Sequence, residues 1–227
     1  PLALAKTPLT EGSAPTSKAM QYEDVSVTLE QYGDVVELSS KVQDLAEDPV
    51  LKDATTLTGE QSAETIESLM WGILRGGTNV FYANGSARNA VNTPISLAKQ
   101  RAVTRQLKVE RAKKVTSMVS SSVKYGTQAI DAAYIAVAHT HLEGDIRDMP
   151  GFVPTEKYGS MKALPYEIGK VEDVRYILTP VLEPFADAGG LENGMVSTTG
   201  TNADVYPVVY FGKDAYGHIA LKGKEAV

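Results

Sequence analysis

His139-Thr140-His141-Leu142-Glu143 holds the residue types of a metal site. Imidazoles two residues apart at the end of a strand point to one side, and a carboxylate from Glu143, Asp145 or Asp148 would complete a zinc or iron set. The chemistry on offer is metal-dependent hydrolysis, with His139, His141 and Glu143 as its residues. A plainer reading competes. Thr140 and Glu143 stand at the spacing of a capping box, whose hydroxyl and carboxylate reciprocally bind backbone amides at a helix start. The chain has three histidines, and the third, His218, is distant in sequence. The capping reading is preferred, and no metal or cofactor is assigned.

Other chemistries lack their residues. Cysteine is absent, which removes disulfides, thiolate nucleophiles and cysteine-based metal sites. Ser120-Ser121-Ser122 offers hydroxyls, but no Gly-x-Ser-x-Gly elbow surrounds one. Gly72 and Gly76-Gly77 form no dinucleotide fingerprint, and there is no phosphate-binding Gly-Lys-Ser/Thr loop. Asn84-Gly85-Ser86 matches a glycosylation sequon that means nothing without a secretory signal. No catalytic constellation remains, so the chain is read as non-enzymatic.

Charge offers one binding feature. Arg101, Arg105, Lys108 and Arg111 wind along one side of a predicted helix, inside an otherwise acidic chain of net charge −6. That overall acidity excludes a dedicated nucleic-acid binder. A stripe of this kind faces water or the acidic surface of a neighbour, and the acidic long helix described next favours a neighbour.

The elements that must position these residues come from a chain of 227 residues, 43% hydrophobic and 22% charged, enough for one large domain or two small ones. No apolar run approaches the roughly 18 residues needed to cross a bilayer, and residues 2–5 are too short for a signal-peptide core, so the chain reads as soluble and intracellular. It opens at Pro1 rather than a methionine, which reads as a trimmed start.

Residues 1–21 read as an extended arm. Val25, Val27 and Leu29 then alternate with polar residues, a turn is expected near Tyr32-Gly33-Asp34, and Val35 to Leu38 returns, which predicts a hairpin over 25–38. Such a hairpin is marginal alone and needs something to lie on. Asp48-Pro49 is a helix start and Gly76-Gly77 a stop, predicting a helix over 49–75, roughly 40 Å long, with Gly59 as its weak point. Trp71 and Tyr82 are expected in the core, and Asn84-Gly85 in a tight turn. Thr93-Pro94 opens a second helix over about 95–110, and a loop follows it. Residues 134–138 are an apolar run suited to a buried strand, 140–149 a short helix, 150–169 a loop, 174–178 a strand and 205–211 a buried run. Residues 186–204, rich in Gly, Ser, Thr and Asn, are expected to be mobile. Strands separated by helices give a mixed α/β body, preceded by the hairpin and the long helix.

Several long segments resemble major capsid proteins of tailed double-stranded-DNA bacteriophages, the N-four-like group in particular. They are Glu30-Gln31-Tyr32-Gly33-Asp34, Glu47-Asp48-Pro49-Val50-Leu51, Gly77 through Gly85, Val91-Asn92-Thr93-Pro94-Ile95, Gly144 through Pro154, Gly169 through Arg175 and Gly200 through Pro207. The likeness runs from about residue 9 to 221. It implies an α+β chain of the Hong Kong 97-type capsid fold, in which an E-loop hairpin reaches over a neighbouring subunit, a spine helix runs through the peripheral P-domain and an α/β axial A-domain clusters at the capsomer centre.

Mapped in order, residues 1–40 would be the arm and E-loop, 41–92 the spine helix and part of the P-domain, 93–213 the axial domain, and 214–227 a truncated return segment toward the P-domain. Val25, Val27, Leu29, Tyr32, Val35 and Leu38 would then meet a neighbouring subunit. Arg101, Arg105, Lys108 and Arg111 would form a charged contact stripe. The implied partners are further copies in hexamers and pentamers, scaffold, portal and decoration proteins, and packaged DNA in non-specific proximity, with no membrane. The implied place is the virion capsid, after synthesis in the host bacterial cytoplasm. A cellular shell-forming compartment protein of the same fold is the other assembly the resemblance allows.

Overall fold

The computed structural model describes residues 6, 8–12, 14, 15, 17, 19–22, 24, 26–45, 49–119 and 127–217. They fall into two compact units, 1–50 and 51–227. Together they make a mixed α+β chain with one sheet and several helices.

In the first unit the only element among the described residues is α1, Ser40–Leu45. The hairpin expected over 25–38 is not formed: residues 26–39 carry no strand and share no backbone hydrogen bond with one another. Local side-chain bonds within this segment include the Tyr32 hydroxyl donating to Glu30 and the Val35 amide to Asp34 Oδ1 at 2.8 Å. A two-stranded ribbon with one apolar face gains little until that face is covered, so the alternating pattern stays open. Val25 and Asp48 lie outside the described residues.

Helix α2, Val50–Leu74, runs for 25 residues without a break at Gly59. Trp71 is its buried residue; the indole N–H donates to the Glu183 carbonyl at 3.3 Å. Tyr82 is only half-buried. Helix α3, Leu97–Val109, starts two residues later than expected, because the cap is Ser96, whose hydroxyl accepts from the Lys99 amide, and not Thr93.

The sheet has the order β1-β2-β5-β4-β3, with β6 also on β2. Strand β2, Thr127–His139, organises it. Its first half pairs antiparallel with β1, Val115–Val119. Its second half lies between β5, Val174–Thr179, which runs parallel to it, and β6, Val209–Phe211, which runs antiparallel. Tyr134, Ile135, Ala136 and Ala138 are buried, as the unbroken apolar run requires of a central strand. Beneath them pack Ile146, from α4 (Glu143–Arg147), and Met149.

Two loops of the sequence reading contain strands. Residues 110–133 include β1 and the first half of β2. Residues 150–169 include β3, Phe152–Pro154, and most of β4, Glu167–Val171. In β4 the buried positions are Glu167, Gly169 and Val171, so a carboxylate and a glycine share the inward face with one valine. A Cβ at Gly169 would stand 2.5 Å from the Phe152 ring and 2.6 Å from the Val153 carbonyl oxygen, so β3 approaches as closely as it does only because that position is glycine.

The run 205–211 is half-buried and holds a strand only from Val209. Val205 makes a single bridge to Phe185, and Pro207 between them has no N–H for a ladder. Residues 186–204, expected to be mobile, are tied by bridges Phe185–Val205 and Leu191–Asn202 and by a knot of side chains. Asp187 Oδ1 accepts from Thr199 Oγ1 (2.7 Å) and the Asn202 amide (3.0 Å), and Asp204 accepts from the Asp187 amide and Thr198.

One polar chain crosses the core. Gln100, on the buried side of α3, donates to the Val171 carbonyl at 2.9 Å and accepts from the Tyr176 hydroxyl at 2.7 Å, which in turn meets the Tyr210 hydroxyl at 3.0 Å. Burial lifts the Tyr210 phenol to about 12 and drives that of Tyr176 up as well. Among the described residues no helix is long and apolar enough to cross a membrane.

Candidate functional site

His139 ends β2, and His141 sits in the 3-10 turn Thr140–Leu142 that follows, so the two rings meet edge to face at 4.4 Å. The sequence reading brings these two together correctly; the rest of the proposed metal set does not assemble. His139 Nδ1 accepts from the His141 backbone amide at 3.0 Å, and the ring also bonds the Pro180 backbone. His141 Nδ1 lies 2.7 Å from the Tyr206 hydroxyl. Glu143 turns away and pairs with Arg147 one helical turn on, at 2.8 Å. The structure therefore gives no support to the hydrolase reading of His139, His141 and Glu143: His139 is engaged with backbone, His141 Nδ1 with Tyr206, and the Glu143 carboxylate with Arg147. Among the described residues no group of three or more His, Asp or Glu is placed to hold a metal ion. The capping box is corrected, because the cap of the turn is the His139 imidazole and not Thr140. Ser120-Ser121-Ser122 and His218 lie outside the described residues.

Burial, and then the neighbouring His141, hold the His139 imidazole below its ordinary value of 6.5. A base whose folded value lies below its unfolded one binds fewer protons in the native state, so stability is lost as pH falls through 6.5 toward the folded value. Denaturant midpoints are expected to drop between about pH 7.5 and pH 5, and less steeply in His139→Gln, whose amide takes up no proton. Parallel curves for the two proteins would contradict this. Glu172 and Asp173, held low by hydrogen bonds from Arg101 and Lys108 respectively, lose their contribution as pH falls through their ordinary values of 4.5 and 3.8 toward the folded ones, a window that lies below that of His139.

That pair of carboxylates also answers the basic stripe. Glu172-Asp173 is the two-residue tip between β4 and β5, with Glu172 at φ 53°, and it faces α3. Arg101 Nε reaches Glu172 at 2.9 Å, while Lys108 and Lys114 reach Asp173 at 2.7 and 3.0 Å. Two of the four stripe cations are thus engaged inside the chain. Arg105 and Arg111 have no ion-pair partner among the described residues. All of these pairs are exposed enough to contribute little to stability.

A cleft of about 610 Å³ opens in the second unit, between residues 74–83, α3 and residues 203–210. Its walls are mainly apolar, including Phe81, Val103, Leu107 and Val208, with His141 and Tyr206 at one side. At its rim the Phe185 ring lies under two guanidinium groups, Arg88 at 3.6 Å and Arg75 at 5.1 Å from the ring centre. Neither arginine has a carboxylate partner among the described residues. Sequence reasoning missed this clamp, since Arg75, Arg88 and Phe185 are far apart in the chain.

Of the six residues expected at a subunit interface, Val27, Leu29, Tyr32 and Val35 are exposed, at 61, 59, 56 and 81%. Leu38 is half-buried, and Val25 lies outside the described residues. Among the described residues this segment has no strand partner.

No curated protein matches this chain. A family model does, over residues 22–219, which takes in the exposed segment, the long helix, the sheet and the cleft. On that match the chain belongs to the phage capsid protein family and has a structural role in the virion shell.

Proposed function

We propose that this chain is the major capsid protein of a tailed double-stranded-DNA bacteriophage of the N-four-like group. On this reading it has the Hong Kong 97-type fold, and its copies assemble as hexamers and pentamers into the icosahedral shell around the genome. Residues 1–40 act as arm and E-loop, 41–92 as spine helix and part of the P-domain, 93–213 as axial domain, and 214–227 lead back toward the P-domain. Val25, Val27, Leu29, Tyr32, Val35 and Leu38 meet a neighbouring subunit, and Arg105 and Arg111 are the stripe cations left for a contact between copies. Scaffold, portal and decoration proteins are the further partners, packaged DNA lies in non-specific proximity, and synthesis is in the host cytoplasm.

The observation that carries this reading is the uncovered run of large apolar residues over 27–36 in a chain of the capsid family. Obligate homo-oligomers are the simplest source of cover for such a run, and their interfaces commonly bury on the order of 2,000–5,000 Å². Negative-stain microscopy of the purified full chain is expected to find closed shells of uniform size. A protein that stays monomeric at high concentration would overturn the reading, and an enzyme cargo in place of DNA inside native particles would move it to a cellular compartment shell.

A further inference from the structure

The cleft and the exposed segment match each other in three independent respects. The first is backbone. Residues 78–83, which form one wall of the cleft, make no backbone hydrogen bond among the described residues, and neither do residues 26–33. Each is an open donor and acceptor row of the kind that pairs by strand addition. The second is apolar surface. Val80 and Phe81 are 53 and 43% exposed on that wall, and an extended segment with Val27 and Leu29 on one face brings a matching apolar row.

The third is charge. Residues 26–38 contain Glu30, Asp34 and Glu37 and no lysine or arginine. The rim of the cleft presents Arg75 and Arg88 stacked on Phe185 without a carboxylate partner among the described residues, and Lys99 lies on the same lining. The cleft's own lining carboxylates are Asp145 and Asp204. Neither is ion-paired with Arg75 or Arg88, and Asp204 is engaged by the Asp187 amide and the Thr198 hydroxyl.

We infer that the cleft walled by residues 78–83 and rimmed by Arg75 and Arg88 is the seat for residues 26–38 of a second copy of this chain, which adds as a strand along 78–83 and sets its carboxylates against the two arginines. This rests on the capsid reading and names the surface that receives the segment. The absence of cysteine from the chain makes the test clean, because any disulfide is the designed one. Full-length copies carrying Leu29→Cys are mixed with differently tagged copies carrying Val80→Cys, assembled, and oxidised. A second pair, Val27→Cys with Tyr82→Cys, which shares that register and face in an antiparallel addition, guards against a variant that assembles poorly.

At least one pair is expected to give a covalent dimer joining the two tags as the main product. R75E/R88E is expected to lower particle yield at least tenfold, with Trp71 emission unchanged as the check on folding. Lysine at Glu30, Asp34 and Glu37 in the same chain is expected to restore part of that yield. Shells forming normally with no cross-link from either pair would overturn the seat while leaving the capsid reading intact, as would shells of normal yield from R75E/R88E. Wild-type copies forming no particle would overturn both.

Discussion

Replacing Glu167 by leucine is expected to destabilise the chain by about 3–5 kcal/mol, the cost of leaving one partner of a buried ion pair behind. Glu167 and Arg175 are both fully buried at the side chain and face each other at 3.4 Å across β4 and β5. Glu167 also accepts from the Tyr158 hydroxyl at 2.5 Å and the Leu164 amide at 2.6 Å, while Arg175 donates to the Lys162 carbonyl at 2.9 Å. The loop 155–166 is thereby fastened at both of its chemical ends to one pair of strands. Burial first, and then Glu167, hold the Tyr158 phenol well above its usual value, so it remains a donor throughout the ordinary pH range.

Among the described residues Arg175 Nε and Nη2 have no hydrogen-bond partner, and the guanidinium faces the Tyr158 ring at 5.6 Å. Removing the carboxylate would leave that charge with only a carbonyl and a ring. The double change Glu167→Leu with Arg175→Met is expected to recover a large part of the loss, because no lone charge remains. Urea unfolding followed by Trp71 fluorescence reads both numbers. A loss below about 1 kcal/mol in the single variant would mean that the pair is not holding this corner of the sheet.

Serine at Val27, Leu29, Tyr32 and Val35 together is expected to abolish shells while the unit 51–227 keeps its cooperative unfolding. Full burial of each large apolar side chain contributes about 1.5–3 kcal/mol, so four changes remove most of what could offset the ordering of the segment. The same four residues are exposed in the single chain, which predicts no comparable loss of its own stability. Electron microscopy of the variant beside the wild type decides the first half, and the denaturant midpoint decides the second. Shells of normal size and yield from the serine variant would remove the segment from the interface.

How much of this was legible in the sequence varies with how locally each feature is encoded. The 25-residue helix was, because helical spacing and the Gly76-Gly77 stop act within a turn or two. The buried half of β2 and strand β5 were also legible, since a central strand buried on both faces reads as an apolar run. Strand β4 was not: its inward residues are Glu167 and Gly169, whose burial makes sense only once Arg175 and Phe152 stand opposite.

The hairpin was legible as a pattern and absent as a structure, because the alternation of Val27 and Leu29 specifies which face is covered but not what covers it. At the histidines the two-residue spacing was enough to read their proximity. It could not reveal that Glu143 prefers Arg147, or that His139 caps its own turn. The clamp of Arg75, Arg88 and Phe185 joins residues up to 110 positions apart, and no local signal announces it.

Hydrogen–deuterium exchange of residues 26–38, compared between the unassembled chain and the assembled particle, tests the central claim most directly. Residues 26–33 and 35–38 make no backbone-to-backbone hydrogen bond among the described residues, so exchange there is expected to be near the unprotected rate, with protection of at least a hundredfold on assembly. Equal and fast exchange in both states would mean that no sister copy covers the segment.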